Sequence, residues 1–172
     1  RMILPGLINA HTHSYSALLK GSVESEPLDI YMLSVIAAGA AMTPREIYVS
    51  AQLDALAMLH TGVTSAIDHY SERPALSGQG LGAVRSAFED IGMRATIATM
   101  FADRPYIDTV PVDRELLPLE ILDAATKQTP PDARAYFAIM EDAVSGEPDD
   151  ARVRVILGVD GPQRCSDLLM EM

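Results

Sequence analysis

The sequence contains little cysteine, few aromatic residues and no long apolar run, and each shortage excludes a class of protein. One cysteine, Cys165, stands among 172 residues, with no tryptophan and 5% aromatic residues. A single cysteine cannot form an intramolecular disulfide, which fits a reducing compartment, so we expect a cytoplasmic protein. The longest apolar segment, residues 35–42, is too short to span a bilayer, so we expect no membrane partner.

Positive charge is also scarce. The chain has 13 lysine and arginine residues against 24 aspartate and glutamate residues, which gives a net charge of −11 at pH 7. The basic residues form no run, so we expect no nucleic-acid partner. Hydrophobic residues make up 48% of the chain, an ordinary share for a globular protein. The length suits one domain or a large piece of one.

Two histidines separated by one residue end the first apolar segment. Residues 4–13 read Leu-Pro-Gly-Leu-Ile-Asn-Ala-His-Thr-His, which predicts a strand that ends in His11 and His13. Alternate residues of a strand share a face, so both imidazoles, and Asn9 with them, are predicted on one face. Paired neutral imidazoles suit a cation such as zinc, so we predict that His11 and His13 bind a metal. The alternative is that they have no function, because this spacing alone is a weak pattern.

Strands alternate with helices along the whole chain. The hydrophobic patterns predict strands at residues 3–13, 63–68, 94–101 and 152–159, and helices at residues 28–42, 44–60, 81–91, 113–128 and 131–144. Thr43 and Glu46 have the spacing of a capping box at the start of the second helix. This alternation predicts an α/β protein with a parallel sheet, either a (β/α)8 (TIM) barrel or an open doubly wound sheet.

Polar groups that could bind a ligand follow the predicted strands. In parallel α/β folds, function collects at the carboxyl ends of the strands. His69 follows the second strand and is predicted to bind substrate, the alternative being an ordinary surface or core histidine. Arg164 follows the fourth strand and is likewise predicted to bind substrate, the alternative being exposure to solvent. These positions support a site at the end of the strand that carries His11 and His13.

Several motifs together resemble one known family. The segment that ends in His11 and His13 resembles the first barrel strand of the amidohydrolase superfamily. The likeness is closest to the branch that holds chlorohydrolases of triazines and aminohydrolases of adenosine derivatives, guanine and 8-oxoguanine. Further stretches that fit this branch are Leu-Leu-Lys-Gly at 18–21, Met-Thr-Pro-Arg-Glu at 42–46, the helix and strand at 57–68, and the turn at 161–169.

The resemblance implies a (β/α)8 barrel, of which strands one to four lie in residues 1–172, and a small β-sandwich. It maps His11 and His13 onto two metal ligands and His69 onto a position that approaches the substrate in some relatives. The remaining ligands in the family are histidines on strands five and six and an aspartate on strand eight, with a proton-transferring glutamate near strand five. We therefore expect the catalytic residues beyond Met172, and we expect residues 1–172 alone to be neither stable nor active.

The function implied is hydrolysis of a carbon–nitrogen bond outside peptides, or dechlorination, on a small-molecule nitrogen heterocycle. One divalent metal ion is expected, zinc first and iron as the alternative. A two-metal cyclic amidase is a rival, although its bridging lysine would stand at the end of strand four, where residues 157–160 contain none. A non-catalytic structural segment is the second rival. The apolar segment at 28–42 could form an interface of a homo-oligomer.

Overall fold

The computed structural model of the chain describes residues 2–22, 25–119 and 132–171. Its sheet has four strands: β1 (Leu7–Thr12), β2 (Val63–Tyr70), β3 (Arg94–Phe101) and β4 (Val153–Val159). All neighbours run parallel, in the order β1-β2-β3-β4. Strand order follows chain order without a reversal, so the sheet lacks the switch point of a doubly wound fold. This is the arrangement of consecutive barrel strands.

Helices connect the strands in the part of the chain that the structure describes. They are α1 (Leu28–Gly39), α2 (Pro44–His60), α3 (Gly78–Ile91), α4 (Ala133–Ser145) and the short α5 (Asp167–Glu171). Turns of 3-10 helix occupy Ser14–Leu19, Tyr106–Asp108, Arg114–Leu116 and Pro162–Arg164. None of the helices in the described residues has both the length and the apolar character that a membrane crossing requires.

Local capping signals explain where two helices begin. The capping box predicted before α2 is present: Thr43 Oγ1 accepts from the Glu46 backbone N–H at 3.3 Å, and Glu46 Oε2 accepts from the Thr43 N–H at 2.7 Å. The third predicted helix begins earlier than expected, at Gly78 rather than residue 81. The reason is Ser77, whose side-chain oxygen accepts from the Gly80 N–H. Ser77 is thus the N-cap, and the glycine-rich segment forms the first turn of the helix.

Other boundaries also differ from the sequence prediction, among them the end of α1, which is Gly39 rather than residue 42. Strand β1 begins at Leu7 rather than residue 3, and its first ladder bond runs from Leu7 N–H to Gly62 O. Strand β2 continues through Tyr70, because its pairing with β3 continues past residue 68. The predicted helix 113–128 starts as a 3-10 turn at Arg114–Leu116 and is interrupted at Leu117, which precedes a proline and is extended; Leu119 is helical. Residues 120–131, which include the rest of that helix, lie outside the described residues.

The core lies between the sheet and the helices, and the other face of the sheet is open. One face of β2 is buried through Ala66, Asp68 and Tyr70. Helices α2 and α3 cover it with the buried residues Ile47, Ala51, Ala55, Leu81, Val84 and Phe88. The alternate residues of β2, among them His69, are only partly buried on the opposite face. That open face corresponds to the interior of a barrel, and barrels of this kind place their sites where the carboxyl ends of the strands leave it.

Residues 1–172 expressed alone should self-associate and should lack a sharp thermal transition. The reason is the exposure of large apolar side chains along both outer strands and α5: Ile8 is 76% exposed, Leu157 58% and Leu168 71%. Size-exclusion chromatography and calorimetry measure both properties. A monomer with cooperative unfolding and hydrolytic turnover would contradict this expectation.

Candidate functional site

Three histidines meet on the open face of the sheet, at the carboxyl ends of β1 and β2. The Nε2 atoms of His11 and His13 lie 3.0 Å apart, and both rings are exposed. The ring of His69 lies beside that of His11, with 4.2 Å between the ring centroids, and 6.0 Å from that of His13. The structure therefore brings together three of the four residues for which the sequence predicted a role.

One hydrogen bond selects the tautomer of a neutral His13 ring. His13 Nδ1 lies 2.8 Å from the carbonyl oxygen of His69. A carbonyl oxygen only accepts, so Nδ1 carries the proton and donates it, and Nε2 of the neutral ring keeps its lone pair. Metal-binding histidines commonly donate their second ring N–H to a carbonyl or carboxylate in this way. The nitrogen left free is the one that faces His11.

The spacing of the two Nε2 atoms fits one zinc ion. A tetrahedral zinc with Zn–N distances of about 2.0–2.1 Å holds two nitrogens about 3.3–3.4 Å apart, within a few tenths of an ångström of the 3.0 Å found here. Catalytic zinc sites use three protein ligands and a water. Within residues 2–22, 25–119 and 132–171, no group of three or more histidine, cysteine or acidic side chains is arranged to hold a metal. Within the described residues the pair therefore falls short of a complete zinc ligand set.

A β-bulge lies where the two histidines leave the sheet. Asn9 pairs with Ala66 and Thr12 with Asp68, so β1 advances three residues while β2 advances two. The bulge turns Asn9 toward the helices, where its Nδ2 contacts Met58 Sδ at 3.4 Å. The prediction that Asn9 shares a face with the histidines is therefore wrong. Its Oδ1 instead accepts from the His11 backbone N–H at 3.2 Å, within the bulge.

Buried polar groups hold the residues that flank His13. Thr12 Oγ1 donates to Asp54 of α2 at 2.7 Å. The Ser14 N–H and hydroxyl donate to the two carboxylate oxygens of Asp68, at 2.9 and 2.5 Å. Sequence reasoning assigned no role to Ser14 or Asp54. The signal available was the placement of two small hydroxyl residues, Thr12 and Ser14, on either side of the second histidine.

Burial changes the pKa values of two groups near the histidine pair. Removal from water raises the pKa of Asp68 to about 6, while its hydrogen bonds from Ser14 oppose that rise. The pKa of His69 is lowered, first by burial and then by the neighbouring His11 and His13 rings, against a hydrogen bond to the Ala10 backbone. This direction of shift favours the neutral form of the His69 ring.

Arg164 lies in a different cluster. The residue is 7% exposed, and its guanidinium pairs with Asp160 and lies over the Tyr106 ring, 4.9 Å from the ring centroid. Arg73, which follows β2, pairs with the same carboxylate at 3.2 Å. Burial lowers the pKa of Arg164, and the charge of Asp160 opposes this. The cluster links the loop after β2 to the loop after β4, and sequence reasoning assigned no role to Arg73 or Tyr106.

Replacement of Asp160 should destabilise the fold strongly. The change Asp160→Ala leaves two largely buried guanidinium groups without their carboxylate, which we expect to cost about 3–5 kcal/mol of unfolding free energy. The matched control is Asp108→Ala, which removes an exposed ion pair with Arg114 and should cost at most about 1 kcal/mol. Urea denaturation of the intact protein measures both. Equal losses would contradict a buried structural role for Asp160.

Comparison with known proteins relates this geometry to one family. The sequence profile of the Amidohydrolase family matches residues 2–172. A 5-methylthioadenosine/S-adenosylhomocysteine deaminase from Halothermothrix orenii is 36% identical over 99 residues, which cover 57% of this chain and 21% of that protein.

Solved structures share the fold at lower identity. An atrazine chlorohydrolase from Arthrobacter aurescens complexed with zinc superposes with a TM-score of 0.70 at 21% identity, over 98% of this chain and 37% of that chain. An adenosine deaminase from Xanthomonas campestris with bound zinc gives 0.70 at 21% identity, over 97% and 32%. The chain therefore spans between about a fifth and two fifths of these proteins. Its sheet matches the first half of their (β/α)8 barrel, as predicted.

Proposed function

The chain belongs to the amidohydrolase family, and from that premise we propose that the intact protein is a metal-dependent hydrolase that deaminates or dechlorinates a nitrogen heterocycle. The observation that carries the proposal is the pair of Nε2 atoms of His11 and His13, 3.0 Å apart on the open face. The names of the relatives, an adenosine-derivative deaminase and an atrazine chlorohydrolase, support the class of substrate.

His11 and His13 would hold one divalent cation in this proposal, zinc first and iron as the alternative. A bound zinc supplies a water whose pKa is lowered to about 7, and so a hydroxide nucleophile at neutral pH. His13 would bind the cation through Nε2, whose lone pair has a fixed direction because Nδ1 donates to the His69 carbonyl. His11 would be the second ligand. It lies in the bulge, where its backbone N–H donates to Asn9 Oδ1.

The positions of the lysines favour a single cation over the two-metal alternative. A two-metal site of the rival class needs a free lysine at the end of strand four, and β4 is followed by Asp160. Lys20 is paired with Asp54 at 3.4 Å, on the helix side of the sheet. Lys127 lies outside the described residues. We therefore propose one metal ion per chain.

Substrate contacts are proposed for His69 and Arg164. His69 presents a neutral ring beside His11, and a neutral imidazole can both donate and accept a hydrogen bond, as the ring nitrogens and exocyclic groups of a heterocycle require. Arg164 would contribute to substrate binding through Asp160, because it holds the Asp160 carboxylate in place at the end of β4. The proton-transferring acid is proposed to lie beyond Met172, as the family resemblance implies. A cytoplasmic location and a homo-oligomer through α1 stay predictions.

Removal of either predicted ligand should abolish metal uptake. We expect His11→Ala and His13→Ala in the intact protein to lose the bound zinc, because too few ligands would then remain. The matched control is His60→Ala, which removes an exposed histidine at the end of α2 and should leave the content at about one zinc per chain. Elemental analysis measures the stoichiometry. Undiminished metal in the His11 and His13 variants would refute the assignment.

His69→Ala should separate substrate binding from metal binding. The backbone carbonyl that holds His13 remains, so we expect the zinc content to be unchanged. Loss of the ring should lower kcat/KM at least about tenfold, the effect of one lost hydrogen bond to a substrate. Steady-state kinetics on an adenosine derivative and on a chlorinated triazine measure the change. Values of kcat/KM within twofold of wild type on the better substrate would exclude the substrate contact.

A further inference from the structure

The two hydrogen bonds between Ser14 and Asp68 assign these residues a role in the site. We propose that Ser14 and Asp68 form a clasp that positions His13 for metal binding, so that both are positioning residues of the metal centre. The inference deepens the proposed function and rests on it. Neither side chain reaches the open face, because both are fully buried on the helix side of the sheet.

The backbone ladder alone does not fix the end of β1. The bulge between Asn9 and Thr12 interrupts the regular pairing with β2 immediately before His13. A bulge leaves one residue unpaired and bends the strand, so the segment after it needs other contacts to hold its direction. The clasp supplies them one residue beyond His13, where Ser14 donates twice to one carboxylate.

Strand β2 holds His13 and its neighbour through two consecutive residues. The Asp68 carboxylate binds Ser14, and the His69 carbonyl accepts from the His13 ring at 2.8 Å. A shift of Ser14 along β2 is therefore expected to disturb the bond that sets the His13 ring. A functional site tolerates displacement of about 0.5 Å before its ligands lose their geometry. The clasp and the ring bond thus act together on one ligand.

The loop behind the clasp is fixed from α2 as well. The hydroxyl of Ser50, which is fully buried, donates to the Ser14 carbonyl oxygen at 2.7 Å and lies 3.0 Å from that of Tyr15. Ser14 therefore has its N–H, hydroxyl and carbonyl all engaged inside the protein. A residue bound at each polar atom is a fixed point, and the His13 backbone is attached directly to it.

The chain contains a second clasp of the same chemistry that serves as a matched control. The Ser166 N–H and hydroxyl donate to the two carboxylate oxygens of Asp103, at 2.7 and 2.5 Å. Asp103 follows β3 and Ser166 follows β4, so this clasp joins the neighbouring pair of strands. It is partly exposed, and neither strand carries a predicted metal ligand. The same substitutions there change the same two bonds without touching His13, and Ser166→Ala also removes the bond from the Leu169 N–H to Ser166 Oγ at 3.2 Å.

The test compares Ser14→Ala and Asp68→Asn with Ser166→Ala and Asp103→Asn in the intact protein. Zinc affinity is measured by competition with a chromophoric chelator, at a temperature where circular dichroism shows each variant folded. Outer groups that orient metal ligands typically contribute 10–100-fold to affinity. We expect the first two variants to raise the zinc dissociation constant by about 10–100-fold, and the second two to change it by less than about threefold.

The absorption spectrum of the cobalt-substituted protein gives a readout that a loss of stability alone does not move. We expect altered d–d bands in Ser14→Ala and Asp68→Asn, and wild-type bands in the two control variants. Equal zinc affinity and equal spectra in the two pairs would overturn the clasp. If Asp68→Asn does not fold, the smaller change Ser14→Ala decides alone.

The clasp and the proposed function fail in distinguishable ways. If wild type binds zinc as tightly as the His11→Ala and His13→Ala variants, the metal site itself is wrong and the clasp falls with it. If those variants lose zinc while Ser14→Ala keeps wild-type affinity, the metal site stands and the clasp alone is wrong.

Discussion

One hydrogen bond, from His13 Nδ1 to the His69 carbonyl, sets the chemistry of this site. It joins β1 to β2, fixes the ring orientation and leaves the free lone pair on Nε2, which faces His11. A cation needs deprotonated nitrogen, so in the proposed metal site the fold would select the binding tautomer in advance. The carbonyl belongs to the backbone, so the selection depends on the strand pairing rather than on the identity of the side chain at 69.

The two faces of β1 and of the residues that follow it have different roles. The open face carries the imidazoles, and the helix side carries Thr12 and Ser14, each bound to a buried or nearly buried carboxylate. Burying a carboxylate is costly unless it accepts hydrogen bonds, and at Asp68 the backbone and hydroxyl of Ser14 provide two. These buried polar groups therefore fix the end of β1. A ligand on the other face of the strand needs such a fixed position.

The sequence allowed prediction of features that depend on near neighbours and failed where distant ones decide. The capping box of Thr43 and the convergence of His11 and His13 are local, because they follow from spacing within one element. The side to which Asn9 points depends on a bulge, and a bulge is set by the register against β2. The burial of Arg164 likewise depends on residues far along the chain, so its sequence neighbours gave no warning. The four strands could be predicted from the sequence as elements. The side-chain hydrogen bonds and ion pairs that connect the strand ends could not.

The most direct measurement is a crystal structure of the intact protein with diffraction data collected on both sides of the zinc absorption edge. The account predicts an anomalous peak about 2.0–2.1 Å from both His11 Nε2 and His13 Nε2, with the His13–His69 hydrogen bond intact. A zinc peak elsewhere, or two imidazoles turned away from each other in the zinc-bound protein, would contradict it.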